Sequence, residues 1–151
     1  MKIYDTDPEV YARTTNIKPE RSKSEIDGVL ARFGVKDVAW RWDLKNNDVF
    51  LMFKLPPERF GHLPDLELSV KLEPPRIWHK TGKGDVINWK ASIRNLYWYI
   101  LTHLSQAYVM QSGKATEFLP HILSRDGRKI VDLVGDELLA LPDTVTQRVI
   151  P

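Results

Sequence analysis

The sequence predicts an α+β fold: an antiparallel sheet of about three strands, with a short N-terminal helix and one long helix packed on one face. Two observations carry this. Between residues 37 and 72, three segments alternate apolar and polar side chains with period two, as strands with one buried face do. On either side of them, apolar residues recur at steps of three and four, which gathers them on one face of a helix. The chain of 151 residues is long enough to bury a core without disulfides or metal. It reads as one domain over 1–151. An extended arm (1–17) precedes an α-β-β-β-α core (22–111), and a small helical or hairpin segment (114–151) follows.

The first helix is predicted over 23–33. Ser22 followed by Glu25 forms a capping box, Ile26, Val29, Leu30 and Phe33 share one face, and Gly34 supplies the left-handed residue that ends the helix. Residues 37–43 put Val38, Trp40 and Trp42 on one side, so both tryptophans are expected in the core. The Lys45-Asn46-Asn47-Asp48 cluster marks a turn. Residues 49–55 bury Val49, Leu51, Phe53 and Leu55, and after a proline-bearing loop residues 66–72 bury Leu66, Leu68, Val70 and Leu72.

Pro74-Pro75 ends the sheet, and a basic loop runs to Asp85, read as the N-cap of a helix over 86–111. Its stripe of Trp89, Ile93, Leu96, Ile100, Leu104 and Ala107 is expected to cover the sheet. Tyr97, Trp98, Tyr99 and Leu101 widen the apolar surface, so the overhanging end is expected to meet another chain. Beyond Gly113 a short helix broken near Pro120 is expected. Around Asp126-Gly127 either a hairpin or a turn into a helix over 131–140 fits.

Composition narrows the function classes. Zero cysteines exclude disulfides, thiol catalysis and cysteine–zinc sites, and suit a hot-growing source. No long apolar run or signal-peptide core is present, so a cytoplasmic protein without membrane contact is expected. From Arg76 to Arg94, five basic side chains (Arg76, Lys80, Lys83, Lys90, Arg94) stand against one acid, Asp85. That segment carries +4 in a chain of net charge +2, so any anion-binding footprint is local.

The stretch Arg76-Ile77-Trp78-His79-Lys80-Thr81-Gly82-Lys83-Gly84 therefore reads as the candidate site. Backbone N–H groups at a helix start, with Arg76, His79, Lys80, Lys83 and Lys90 nearby, form a seat for phosphate. Trp78, in a loop between basic residues, is placed to stack on a base. A second patch lies on the sheet's outward face, where Arg41, Phe50, Met52, Lys54 and Lys71 share one side. Aromatics among cations suit a single strand, because any base stacks and any phosphate pairs. The four histidines lack metal-ligand spacing, and no nucleophile–base pattern accompanies the serines.

The order helix–strand–strand–strand–helix, with Gly82-Lys83-Gly84 and Lys90 near the last helix, resembles the double-stranded-RNA-binding domain in topology. That resemblance implies phosphate contacts from this turn and helix start. Asp85-Val86-Ile87-Asn88 replaces the family's run of lysines. Separately, Ile17-Lys18-Pro19-Glu20-Arg21-Ser22-Lys23-Ser24-Glu25-Ile26 with Leu30-Ala31-Arg32-Phe33-Gly34 is similar to an uncharacterised family of small phage and mobile-element proteins, which implies a mobile-element origin. The element order also resembles restriction-type nuclease cores, a resemblance that implies Asp48 and Glu67 holding Mg²⁺ with Lys71 as the accompanying lysine. Glu67 and Lys71 are four apart where that motif needs two, so this reading is the most remote.

The expected function is non-catalytic binding of single-stranded nucleic acid, most simply DNA, without metal or cofactor. The alternative is a protein–protein interaction through Tyr97, Trp98, Leu101 and Tyr108 on the long helix, with a second copy of the chain or a host target.

Overall fold

Along the chain the elements are β1 (Ile3–Tyr4), α1 (Pro19–Arg32), β2 (Lys36–Asp43), β3 (Asp48–Glu58), β4 (Leu66–Leu72), β5 (Ile77–Thr81), β6 (Gly84–Ile87), α2 (Trp89–Val109) and α3 (Lys114–Glu117), then a 3₁₀ turn, Leu119–His121. The structure is a computed structural model that describes residues 1–58, 66–124, 127–129 and 132. It has the expected α+β class, with two three-stranded sheets in place of one: β2-β3-β4 and β1-β5-β6.

Helix α1 begins earlier than the capping box predicts. Pro19 occupies the first turn and Lys18 precedes it without a side-chain cap. Proline fixes φ near the helical value and has no N–H to satisfy, so it starts a helix where capping chemistry is absent. Ser22 then falls inside the helix, fully buried, with its hydroxyl unpartnered. Glu25 turns away to pair with Arg94 of α2 and with Arg21. The hydrogen bond from Arg94 holds its carboxyl below the usual range. The helix ends as predicted. Gly34, at φ +76°, donates to Ala31 and Val35 to Leu30, at 3.1 and 3.0 Å. These are the two hydrogen bonds of a Schellman motif.

The antiparallel sheet β2-β3-β4 follows the predicted alternation from Ala39 onward, whereas a bulge between Lys36 and Ala39 leaves Val38 exposed. Trp40 pairs with Leu51, and Phe53 with Val70. The turn between β2 and β3 is closed by Asp43, whose carboxylate accepts from Asn46 main chain and side chain, at 3.2 and 2.8 Å, while Asn47 takes φ +53°. The inner face (Val49, Leu51, Phe53, Leu55, Val70, Leu72) packs beneath Ile26, Val29 and Leu30 of α1 and Ile93, Leu96, Ile100 and Leu104 of α2. Trp40 and Trp42 flank this core, as expected, with Trp40 Nε1 donating to Asp27 at 2.8 Å.

The reading departs from the structure at both ends of the basic segment. Residues 77–87 form the β5–β6 hairpin, so α2 starts at Trp89, with Asn88 and not Asp85 as its cap. Asn88 accepts from the Ala91 N–H at 3.1 Å. The arm is also more than an extended tail: β1 joins the second sheet parallel to β5, with Ile3 opposite Ile77. Beyond α2, Phe118 (0% exposed) and Ile122 (2%) complete the core, and Ile122 bridges Val70 on the edge of β4. Leu123 opposes Lys129 in an antiparallel bridge, in line with the hairpin alternative. Apart from Asp132, residues 131–151 lie outside the described residues, and with them the helix expected over 131–140. No described helix is long and apolar enough to cross a membrane.

Candidate nucleic-acid interface

The β5–β6 hairpin arises from alternation that its glycines obscure. Ile77, His79 and Thr81 interleave with Trp78 and Lys80, and Gly82-Lys83 is a two-residue turn between Thr81 and its partner Gly84. Gly84, at φ +117°, adopts a conformation that a side chain disfavours. The Lys83 N–H donates to Thr81 Oγ1 at 3.2 Å, which pins the turn. Lys83 is thus carried to an exposed tip, separated from α2 by all of β6. The helix-start seat expected for Gly82-Lys83-Gly84 does not form.

A strand sends successive side chains to opposite faces, so the predicted site residues divide. On one face Trp78 and Lys80 meet Lys2 and Tyr4 of the arm and Asp85 of β6. Lys2 Nζ lies 4.3 Å from the Trp78 ring centroid and Lys80 Nζ 4.6 Å from that of Tyr4. The Tyr4 hydroxyl donates to Asp85 at 2.8 Å, and Lys2 pairs with the same carboxylate oxygen at 3.2 Å. Those two hydrogen bonds, Tyr4 first, hold the Asp85 carboxyl below the usual range, and Asp85 in turn raises the Tyr4 phenol.

On the other face His79 Nδ1 lies 2.8 Å from Asp5 Oδ2, which also accepts from Asn88 Nδ2 at 3.0 Å. This face forms one wall of an open cleft of about 550 Å³, whose polar lining includes Asp5, Arg13, Asn16, His79, Asn88 and Lys90. Pro19, Val86 and Trp89 supply apolar wall. Sequence reasoning missed Arg13 and Asn16, which lie in the arm without periodic signal. The polar run Arg13-Thr14-Thr15-Asn16 was the available clue. Arg76 reaches the Asn47 carbonyl at 3.5 Å, at the base of the hairpin.

Arg41, Phe50 and Lys54 lie on the other sheet. The register puts Arg41 opposite Phe50 and Met52 opposite Lys71, so the expected outward face exists. Its cations are engaged, however: Arg41 with Asp48 (2.8 Å), Lys54 with Asp37 (3.7 Å) and Lys71 with Glu73 (3.9 Å). Lys71 Nζ also sits 4.5 Å from the half-buried Phe50 ring. Asp48 and Lys71, the groups of the nuclease reading, are each spent in these pairs, and the Glu67 side chain lies outside the described residues.

The aromatic surface of α2 is narrower than expected. Tyr97 and Leu101 are partly buried against the core, and Arg94 lies 4.2 Å from the Tyr97 ring. Trp98 stacks on Tyr11 of the arm at 5.1 Å. Tyr108, at 79% exposed, is the member of that set left most open, beside Val109 and Met110. Comparison with protein-family models, curated proteins and solved structures finds no match to the chain.

Proposed function

We propose that this protein binds single-stranded nucleic acid through the β5–β6 hairpin and the cleft beside it. One observation carries the reading. Arg13, Arg76, Lys83 and Lys90 all belong to this end of the molecule, and among the described residues none has a carboxylate partner. Unpaired, exposed cations keep their charge available to a phosphate backbone, and their counterion release supplies most sequence-independent affinity. Trp78 is half-buried, so part of its ring is open to a base. An open cleft with an apolar wall suits an unstacked base, which a single strand offers and a duplex does not.

The test is fluorescence anisotropy of labelled single-stranded and duplex oligonucleotides at two salt concentrations. Tight binding to the single strand that weakens steeply with salt is the expected result. Absence of binding at low salt overturns the reading.

A second reading, self-association or partner docking through the α2 C-terminus, is favoured by the exposed Tyr108, Val109 and Met110. An apolar interface of that kind is nearly indifferent to salt, so sedimentation at the same two salt concentrations separates it from charge-driven binding.

A further inference from the structure

The hairpin and the cleft offer different chemistry. Lys83 at the tip is an exposed charge of the kind that meets any phosphate. The cleft instead gathers unlike groups. Arg13 from the arm and Lys90 from the first turn of α2 converge on one cavity of about 550 Å³, within the range of small-ligand sites, roughly 300–1,000 Å³. Val86, an apolar side chain left 50% exposed, lies on its wall with Pro19. The polar groups are partly committed already. Asp5 holds His79 and Asn88, and Asn88 caps α2, so the helix terminus contributes little. Arg13, Asn16 and Lys90 stay available, with no side-chain hydrogen bond to another described residue.

Two cations, one amide and an apolar platform in one cavity match the parts of a single nucleotide. We infer that the cleft is a nucleotide subsite. One phosphate of a bound strand sits between Arg13 and Lys90, its base lies against Val86 and Pro19, and Asn16 meets the base edge. This inference rests on the single-strand reading and deepens it: the hairpin tip contributes charge, whereas the cleft holds one unit of the strand. The arm is then part of the binding surface, because β1 and Asp5 set the position of His79, and Arg13 follows in the same segment.

The test uses the intact chain in equilibrium dialysis with a nucleoside 5′-monophosphate, the matching nucleoside and inorganic phosphate. The monophosphate is expected to bind at least tenfold more tightly than either fragment. It should also displace a labelled single-stranded oligonucleotide in proportion to its occupancy. Arg13→Ala and Lys90→Ala, both exposed sites, are each expected to lower monophosphate affinity about fivefold, whereas Arg41→Ala, on the outward face of the other sheet, leaves it unchanged. Equal binding by wild type, Arg13→Ala and Lys90→Ala overturns the subsite, as does monophosphate binding that never displaces the oligonucleotide. The parent reading is judged separately. An oligonucleotide that binds wild type and both cleft variants equally, with steep salt dependence, leaves single-strand binding standing and removes the cleft from it.

Discussion

Two surfaces of this molecule carry clustered basic side chains and differ in what that charge faces. On the outward face of β2-β3-β4, Arg41, Lys54 and Lys71 each have a carboxylate within 4 Å. At the β5–β6 end, Lys2 and His79 are paired with Asp85 and Asp5, but Arg13, Arg76, Lys83 and Lys90 have no carboxylate partner among the described residues. Exposed ion pairs contribute little to stability, typically about 0–1 kcal/mol. They nonetheless cancel the field that would draw in a polyanion. Counting basic residues along the chain says nothing of which are paired. Their partners make the two surfaces different.

The largest expected effect follows from that contrast. Replacing Arg13, Lys83 and Lys90 together with Ala should weaken single-strand binding at low salt about ten- to a hundredfold, at up to about 1 kcal/mol for each exposed charge. Replacing Arg41, Lys54 and Lys71 should change it little; anisotropy titrations of both variants decide. Next, Trp78→Ala should weaken binding by about 1–3 kcal/mol through lost stacking, and intact affinity would take Trp78 out of the interface. Gly84→Ala should destabilise the fold by about 1–3 kcal/mol, because φ +117° is strained for any side chain; thermal melting reads this.

A pH prediction sharpens the comparison further. The Asp85 carboxyl is depressed by Tyr4 and Lys2. Its contribution is therefore fully present above the unfolded-state value near 3.8 and is lost as pH falls through the lower native value. Wild type should melt higher than Asp85→Asn at pH 6, and the gap should close as the pH drops below that window. The smallest effect is expected at Gly28. It lies inside α1 with nothing within 4 Å of an added Cβ, so Gly28→Ala should stabilise the protein by about 0.4–1 kcal/mol and leave binding unchanged.

The parts of the fold that were legible were those with local patterns. Alternation in β3 and β4 found their buried residues, and Gly34 marked the end of α1, but in β2 a bulge between Lys36 and Ala39 leaves Val38 exposed. The second sheet was hidden for two reasons. Gly82 and Gly84 made the hairpin look like a loop, and β1 pairs with a strand more than seventy positions away, a contact that leaves no local signal. Asp85 and Asn88 are both good caps, and hydrogen bonding to Tyr4 and Lys2 decided between them. For the candidate site, the basic segment was visible, but its division between two faces was not, because that depends on strand direction. Arg13 enters only through the docking of the arm. The three ion pairs that occupy the outward face depend on rotamers and register, which composition does not reveal.

The most direct test of the central claim is the slope of log affinity against log salt for a single-stranded oligonucleotide, measured on three proteins. Wild type and the Arg41/Lys54/Lys71→Ala variant should share one slope. The Arg13/Lys83/Lys90→Ala variant should be shallower by about 2, at about 0.7 for each lost phosphate contact. A slope unchanged in the cleft-and-hairpin variant, or flattened only in the outward-face variant, would contradict the account.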